Sequence, residues 1–232
     1  MTSVDGLNIL YQDELMVAVD KPAGHLVHPA DNPQEGDQVV MKNLRDQIGQ
    51  HVNPIHRLDR PTTGVLLFGL TPYATKKLRR AFDHHHVTKT YRCLCHGTPP
   101  ALVWECHEPL RKTEGAPLRE AHTAFELVQS FMVPVLEDIL SEPTLHLVDA
   151  NPSTGRFHQI RRHLAGLQLP IVGDYRYAGM AHSEVLSERL GLDQRMLLQA
   201  HRLEFPHPVT GDAVSIQAPI DPYFLKVCPT IT

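Results

Sequence analysis

The order of strand-like and helix-like segments is the feature that most constrains how this chain of 232 residues folds. Apolar and β-branched runs predict strands at residues 7–11, 15–20, 65–70 and 87–96. Helical periodicity predicts a helix over residues 72–83, after an N-cap at Thr71, and a second helix over residues 156–166. Because the two kinds of segment do not alternate strictly, we predict an α+β fold with a mixed, mainly antiparallel central sheet and flanking helices.

Composition narrows the class of protein further. A hydrophobic fraction of 42% and a charged fraction of 21% are typical of a globular protein, and they exclude collagen-like or largely disordered chains. No internal repeat, low-complexity tract or flexible linker interrupts the sequence. We therefore predict a single domain over residues 1–232.

Segment lengths and cysteine content bear on the cellular compartment. The longest strongly apolar run, residues 64–70, is far shorter than the roughly 20 residues that a membrane-spanning helix needs. Residues 1–13 contain acidic but no basic side chains and lack the apolar region of a signal peptide. The four cysteines are too few for a disulfide scaffold, which predicts free thiols. These features predict a cytoplasmic protein without a membrane span.

Charge is distributed unevenly, although the formal net charge is only −4. Residues 42–92 hold ten basic side chains against three acidic ones, whereas residues 1–41 and 93–155 each carry a net charge of −6. The predicted helix over 72–83 presents Lys77 and Arg80 away from its apolar stripe. Such a concentration of cations predicts a local anionic partner such as a phosphate backbone, and a merely solvated helix face is the alternative.

Cofactor motifs are missing from the sequence. It contains no phosphate-binding glycine-rich loop, dinucleotide fingerprint or Gly-x-Ser-x-Gly elbow. The histidine run 84–86 lies near Cys93, Cys95 and His96, which suggests a metal site. However, a structural zinc site usually has cysteines separated by two to four residues and four converging ligands. We therefore predict neither a cofactor nor a metal ion.

Reactive residue types concentrate in residues 56–64 (HRLDRPTTG), directly before a predicted buried strand. A loop at the edge of a sheet is where a scaffold commonly displays reactive groups. The guanidinium groups of Arg57 and Arg60 flank Asp59 and favour its ionised form, which is the form that a nucleophile needs. A salt-bridged surface turn is the alternative interpretation.

Residues 56–64 closely resemble the His-Arg-Leu-Asp-x-x-Thr-Ser-Gly signature of the RluA-type pseudouridine synthases. Further segments resemble that family's motifs in the same order, namely VAVDKPAGHLVHP (17–29), KTY (89–91), TGRFHQIR (154–161) with PIVGD (170–174), and RMLLQAHRLEFPHPVTG (195–211). The chain departs from the pattern at Thr63, where serine is usual, at Gln199, where histidine is usual, and at Phe157, where threonine or serine is usual. None of these departures changes the position of the carboxylate.

The resemblance implies the family's catalytic domain fold without an appended S4 domain, and an isomerisation of uridine to pseudouridine that needs no cofactor. It implies that Asp59 is the catalytic carboxylate and that Arg161 is its ionic partner. Tyr91 would stack on the uracil or move a proton, and Leu198 would form an apolar wall. The attack of Asp59 on the sugar, its attack on the base, and proton abstraction to a glycal remain open alternatives.

An RNA substrate follows from the same resemblance. A uridine inside a helix must be extruded before the enzyme can reach its reacting atoms, and Arg57 would fill the vacated stack. Further expected RNA contacts are His56, Arg60, Lys77, Arg80, Arg156 and Arg162. The resemblance implies uridine 65 in the T-stem of tRNA, with no obligate protein partner. A ribosomal RNA synthase of the same family and a non-catalytic RNA-binding module are the alternatives.

Overall fold

Ten strands and five helices are formed by the residues that the computed structural model describes, which are 6–29, 32 and 34–231. Residues 1–5, at the start of the segment searched for a signal peptide, lie outside the described residues. The elements in chain order are β1 (Asn8–Gln12), β2 (Met16–Lys21), α1 (Val40–Ile48), β3 (Asn53–Pro54), β4 (Thr63–Gly69), α2 (Pro72–Asp83), β5 (Thr88–His96), β6 (Val103–Cys106), β7 (Thr123–Met132), β8 (Thr144–Pro152), α3 (Gln159–Gly166), α4 (Met180–Leu190), β9 (Leu198–Pro206), β10 (Ala213–Gln217) and α5 (Pro222–Val227). The predicted strands and helices are confirmed, with boundaries that differ by a few residues.

The chain folds into two compact units. Unit 1 contains the residues up to Thr88 together with Ala200–Pro219, and unit 2 contains Lys89–Gln199 together with the residues from Ile220 onward. The chain therefore passes between the units inside β5, inside β9 and after Pro219. The single domain expected from the sequence stays a prediction.

In unit 1, strands lie in the order β1–β2–β4–β9, with β3 paired to β4 and β10 paired to β9. The pairs β1–β2, β2–β4, β3–β4 and β9–β10 are antiparallel. Strand β4 is buried along its whole length, as its uninterrupted apolar sequence predicts. Gly64 in this strand has φ +100°, and a Cβ there would lie 2.2 Å from the carbonyl oxygen of Ala200. Only glycine fits this position, which fixes how the preceding residues 56–63 enter the sheet.

Helix α2 begins and faces the core as the sequence predicts. The Thr71 hydroxyl accepts a hydrogen bond from the Ala74 amide at 3.1 Å, and Pro72 occupies the first helical turn. Leu78 packs in the core of unit 1, which also contains Met16, Val65, Leu67, Leu203 and Phe205. The opposite face of α2 is exposed and carries Lys77 and Arg80.

In unit 2, the strands lie in the order β5–β8–β7–β6 and are antiparallel throughout. One apolar cluster contains Cys93, Cys95, Phe125, Leu164 and Leu198, among others. A second cluster gathers Leu94, Leu145, Leu197, Phe224 and Cys228. All four cysteines are buried free thiols, as predicted. The α+β class with a mainly antiparallel sheet is confirmed.

Helix α3 begins later than the sequence predicts. His158 adopts φ +53°, and the Gln159 side chain accepts a hydrogen bond from the Arg156 amide at 2.9 Å. These contacts hold residues 154–158 in a turn, so the helix starts at Gln159 rather than at Arg156. Phe157 lies in this turn rather than in the helix, and its side chain is 40% exposed and stacks on the His158 ring with the two centroids 3.7 Å apart. Among the described residues, no helix combines the length and the apolar character that crossing a membrane requires.

Candidate active site

The loop over residues 56–62 leads into β4 and carries Asp59. The Asp59 backbone carbonyl accepts a hydrogen bond from the Thr62 amide at 3.1 Å, which closes a turn. Thr62 and Thr63 are buried, whereas Asp59 is half-buried and Arg57 is exposed. The loop therefore anchors its threonines in unit 1 and leaves Asp59 half-buried.

Lys21, at the end of β2, holds this loop through hydrogen bonds of its side chain. Its side chain is fully buried, and its ammonium group donates hydrogen bonds to the carbonyls of Pro22, His25 and Arg60 at 2.8, 2.9 and 3.0 Å. A buried ammonium is costly unless its donors are satisfied, and three carbonyl acceptors satisfy it here. Lys21 thus ties the segment 22–25 to the residue that follows Asp59.

Arg60 is the second connection between these two segments. Its Nε donates to the Gly24 carbonyl at 2.9 Å, and its guanidinium forms an ion pair with Asp37 at 3.0 Å. The Arg60 carbonyl also accepts a hydrogen bond from the Gly24 amide at 2.9 Å. Arg60 therefore has a structural role in unit 1, and its contact with RNA stays a prediction.

His56 lies at the start of the loop and is half-buried. Its Nε2 accepts a hydrogen bond from the Leu67 amide at 3.2 Å, so the proton of a neutral ring lies on Nδ1. The ring also stacks on Phe82 of α2, with the two ring centroids 5.0 Å apart. These contacts orient the loop against β4 and α2, while the predicted RNA contact of His56 stays a prediction.

A basic cavity of about 260 Å³ lies in unit 1 beside the second half of α2 and residues 206–208. Lys77, Arg80, His84, His86 and His207 line it, together with Ala81, Pro206 and Pro208. The structure thus brings together two cations that were predicted as phosphate contacts. The histidines of the 84–86 run add donors that the sequence did not assign to this surface.

In unit 2, Tyr91 and Leu198 belong to the same apolar neighbourhood. Leu198 is buried in the cluster of Cys93 and Cys95, and the half-buried Tyr91 packs against that cluster. Cys93 and Cys95 follow Tyr91 in β5 at intervals of two residues, so all three side chains lie on the same side of the strand. The apolar wall that Leu198 is expected to form stays a prediction.

Arg161 is held rigidly in unit 2. Its Nε and one terminal nitrogen donate to the two carboxylate oxygens of Asp174 at 2.7 and 2.8 Å. Both side chains are buried, at 7% and 1% exposure, and the guanidinium also lies 5.1 Å from the centroid of the Tyr177 ring. Gly173, the residue before Asp174, has φ +77°. A Cβ at this position would lie 1.9 Å from the Arg195 carbonyl oxygen. The predicted pairing of Arg161 with Asp59 stays a prediction.

Arg156 and Arg162 contact the 107–122 loop, which we define as the residues between β6 and β7. Arg156 donates to the Glu120 carbonyl at 2.8 Å, and Arg162 donates to the Arg111 carbonyl at 2.7 Å. Both arginines therefore position a loop that carries basic residues of its own. Their direct contact with phosphate stays a prediction.

The sequence interpretation missed three positioning residues. Lys21 and Asp174 belong to motifs that were quoted, but no role was assigned to either. Gln159 bridges α3 and β7, because its amide donates to the His122 carbonyl at 2.9 Å and to the Thr123 hydroxyl at 3.0 Å. A charged side chain close to an apolar run was the signal that could have identified Lys21 and Asp174.

Comparison with known proteins agrees with the motifs. The family model described as RNA pseudouridylate synthase matches residues 15–166. A tRNA pseudouridine synthase C from Salmonella typhi is 39% identical over 230 residues, which cover 95% of this chain and 88% of that protein. A tRNA pseudouridine synthase C from Pasteurella multocida is 40% identical over 234 residues, which cover 95% and 94% of the two chains.

Solved structures share the fold. Human RNA Pseudouridylate Synthase Domain Containing 1 superposes with a TM-score of 0.77 at 22% identity, over 99% of this chain and 89% of that one. Human RNA Pseudouridylate Synthase Domain Containing 4 superposes with a TM-score of 0.72 at 22% identity, over 95% and 91%. The expected catalytic domain fold is thereby confirmed.

Proposed function

Because the chain belongs to the RNA pseudouridylate synthase family, we propose that it isomerises a uridine of tRNA, at position 65 in the T-stem, with Asp59 as its catalytic carboxylate. The proposal of a tRNA substrate is supported by the 39–40% identity, over nearly the whole chain, to proteins named tRNA pseudouridine synthase C. A tRNA substrate implies a cytoplasmic enzyme, and we expect it to act without an obligate protein partner.

The proposed reaction is balanced without a redox partner or a nucleotide. The bond between uracil N1 and ribose C1′ breaks, the base turns, and a bond forms between C5 and C1′. The hydrogen on C5 leaves to solvent, and N1 gains a proton. Catalysis then requires a carboxylate, a group that moves the C5 proton, and a surface that holds the detached base.

Asp59 suits the first of these roles because the loop that carries it is anchored. Buried Thr62 and Thr63, the Lys21 ammonium and the His56 ring hold the surrounding backbone. A carboxylate fixed in this way loses little conformational freedom when it reacts.

Tyr91 suits the roles of proton carrier and platform. Its ring packs against an apolar cluster that contains Leu198, and its phenol can donate or accept a proton. Arg161 contributes a guanidinium that Asp174 fixes through two hydrogen bonds. We propose that this fixed cation belongs to the catalytic machinery.

The test of the proposed substrate uses transcripts carrying tritium at uracil C5. We expect the purified protein to release tritium from tRNA and not from ribosomal RNA, with the new pseudouridine mapped to position 65. Release from ribosomal RNA alone would favour the related rRNA enzyme. Binding of both RNAs without any release would favour the non-catalytic RNA-binding module.

The basic cavity beside α2 gives a second prediction, which concerns tRNA binding. Lys77→Ala and Arg80→Ala should each weaken tRNA binding and reduce the slope of log K against log salt by about one, because each removes one cation–phosphate contact. The measurement is a series of binding curves at increasing KCl concentration. Arg45→Ala is the matched control, since Arg45 is exposed on another helix of unit 1 and pairs with Asp46. An equal change of slope in the control would argue against the cavity as a phosphate site.

A further inference from the structure

Two histidines and a glutamate meet at the base of the 107–122 loop. Cys106 of β6 pairs with Thr123 of β7, and extending this register by one residue brings His107 opposite His122. The two imidazole rings stack with their centroids 4.3 Å apart and their planes at 20°. Glu105 lies beside them, and its Oε2 is 3.0 Å from Nε2 of His107 and 3.3 Å from Nε2 of His122.

We propose that Glu105, His107 and His122 form a binding site for a divalent transition-metal ion, with zinc as the best match. Two imidazole nitrogens and one carboxylate oxygen are a donor set that proteins use for zinc, with a fourth position left to water. The three ligand atoms lie within 4.8 Å of one another. None of the three residues has a role in the proposed reaction.

Donor spacing supports this assignment. Zinc binds nitrogen and oxygen donors at about 2.0–2.2 Å in a tetrahedral arrangement, which requires donors about 3.3 Å apart. The two nitrogen–oxygen distances, 3.0 and 3.3 Å, are close to this spacing, and an ion would enter the cluster as the two imidazole rings rotate out of their stacked arrangement. The Glu105 and His107 side chains are 56% and 69% exposed, which leaves a path for the ion and room for a water ligand.

The orientation of His122 is fixed from outside the cluster. Its Nδ1 lies 2.8 Å from the Ser153 hydroxyl, and its backbone amide donates to the Thr154 hydroxyl at 3.0 Å. A ligating histidine typically has its other ring nitrogen held in this way, which sets the tautomer and the direction of the lone pair. His122 Nε2 is shielded from solvent and, among the described residues, contacts Glu105 without forming a well-aligned hydrogen bond.

The Glu105 carboxylate already lies close to both imidazole rings, with Oε2 at 3.0 Å from Nε2 of His107 and 3.3 Å from Nε2 of His122. The same contacts also fit an alternative, a cluster of side chains that holds no metal. The two possibilities differ in whether zinc binds with defined stoichiometry.

A bound ion would join the two ends of the 107–122 loop. Glu105 belongs to β6 and His107 directly follows that strand, while His122 immediately precedes β7. The loop between them contains Arg111, Lys112 and Arg119, which are potential trypsin sites. Because the ion cross-links the ends of the loop, zinc should slow cleavage within it.

The experiment uses tag-free, chelator-treated full-length protein titrated with Zn²⁺ against a chromophoric competitor. We expect one zinc ion per chain, and about 100-fold weaker binding in Glu105→Gln, His107→Gln and His122→Gln. Ser153→Ala should weaken binding about 10-fold through the orientation of His122. Zinc should slow tryptic cleavage of the loop in the wild-type protein and not in the three ligand variants.

The matched control is the double variant His84→Gln/His86→Gln, which removes another histidine pair, with rings 6.1 Å apart. Its zinc affinity should equal that of the wild-type protein. Absence of stoichiometric binding, or equal loss of affinity in the control and the ligand variants, would overturn the proposal. Thermal melting of each apo variant separates a lost ligand from a lost fold, because these side chains are not buried in the core.

Discussion

Asp59→Asn should abolish tritium release from tRNA, lowering the single-turnover rate by at least about 10⁴-fold, while tRNA affinity changes by less than about threefold. The substitution preserves the shape of the side chain but removes the negative charge and the nucleophilic oxygen. Asp59 is half-buried in a loop that Lys21, His56 and two buried threonines hold, so the fold should tolerate the change. The measurement combines single-turnover tritium release with a tRNA binding curve.

Two further variants sharpen this test. Asp59→Glu keeps the charge and moves the carboxylate by one methylene, so a large loss of rate there would show that position as well as charge matters. Asp46→Asn removes an exposed carboxylate of helix α1 that pairs with Arg45, and it should leave the rate unchanged. Turnover in Asp59→Asn within tenfold of wild type would show that another group performs the chemistry. A matching loss of tRNA affinity would assign Asp59 to binding instead.

The second large effect concerns the buried ion pair of Arg161 and Asp174. Asp174→Ala should destabilise the protein by about 3–5 kcal/mol, because it leaves a buried guanidinium without its bidentate partner. For a chain of this size, that loss lowers the melting temperature by about 6–20 °C. Arg161→Met should also be destabilising, since it removes the cation from the buried Asp174 carboxylate and leaves it the Arg176 and Tyr177 amides as donors.

The double variant Arg161→Met/Asp174→Leu separates stability from activity. Replacing both partners of a buried pair by apolar side chains is often neutral, so the melting temperature should recover most of the loss. Tritium release should nevertheless stay absent, because the guanidinium itself belongs to the proposed machinery. Recovery of activity together with stability would show that Arg161 is only structural.

A matched control exists on the surface of unit 2. Arg189 pairs with Asp138, and the two side chains are 41% and 62% exposed. Because water screens an exposed pair, Arg189→Met should leave the melting temperature nearly unchanged. An effect as large as that of Asp174→Ala would mean that burial does not explain the difference.

Local sequence signals predicted the secondary structure well where an element depends only on the residues of its own segment. The apolar run of β4 and the Thr71–Pro72 start of α2 needed no distant partner, and both are confirmed. The start of α3 was predicted too early because the Gln159 side chain caps a turn at Arg156. That contact competes with helix formation, and helical periodicity does not reveal it.

Residue order by itself determined the α+β class, the family and the identity of the candidate catalytic side chains, because these depend on residue types at short spacings. Tertiary structure decided which distant residues meet. Lys21 reaches the carbonyl of Arg60, 39 residues away, and Arg161 meets Asp174, 13 residues away. The proposed zinc site exists only because the pairing of β6 with β7 brings His122 beside Glu105 and His107. Such contacts follow from strand register and burial, which one sequence does not specify.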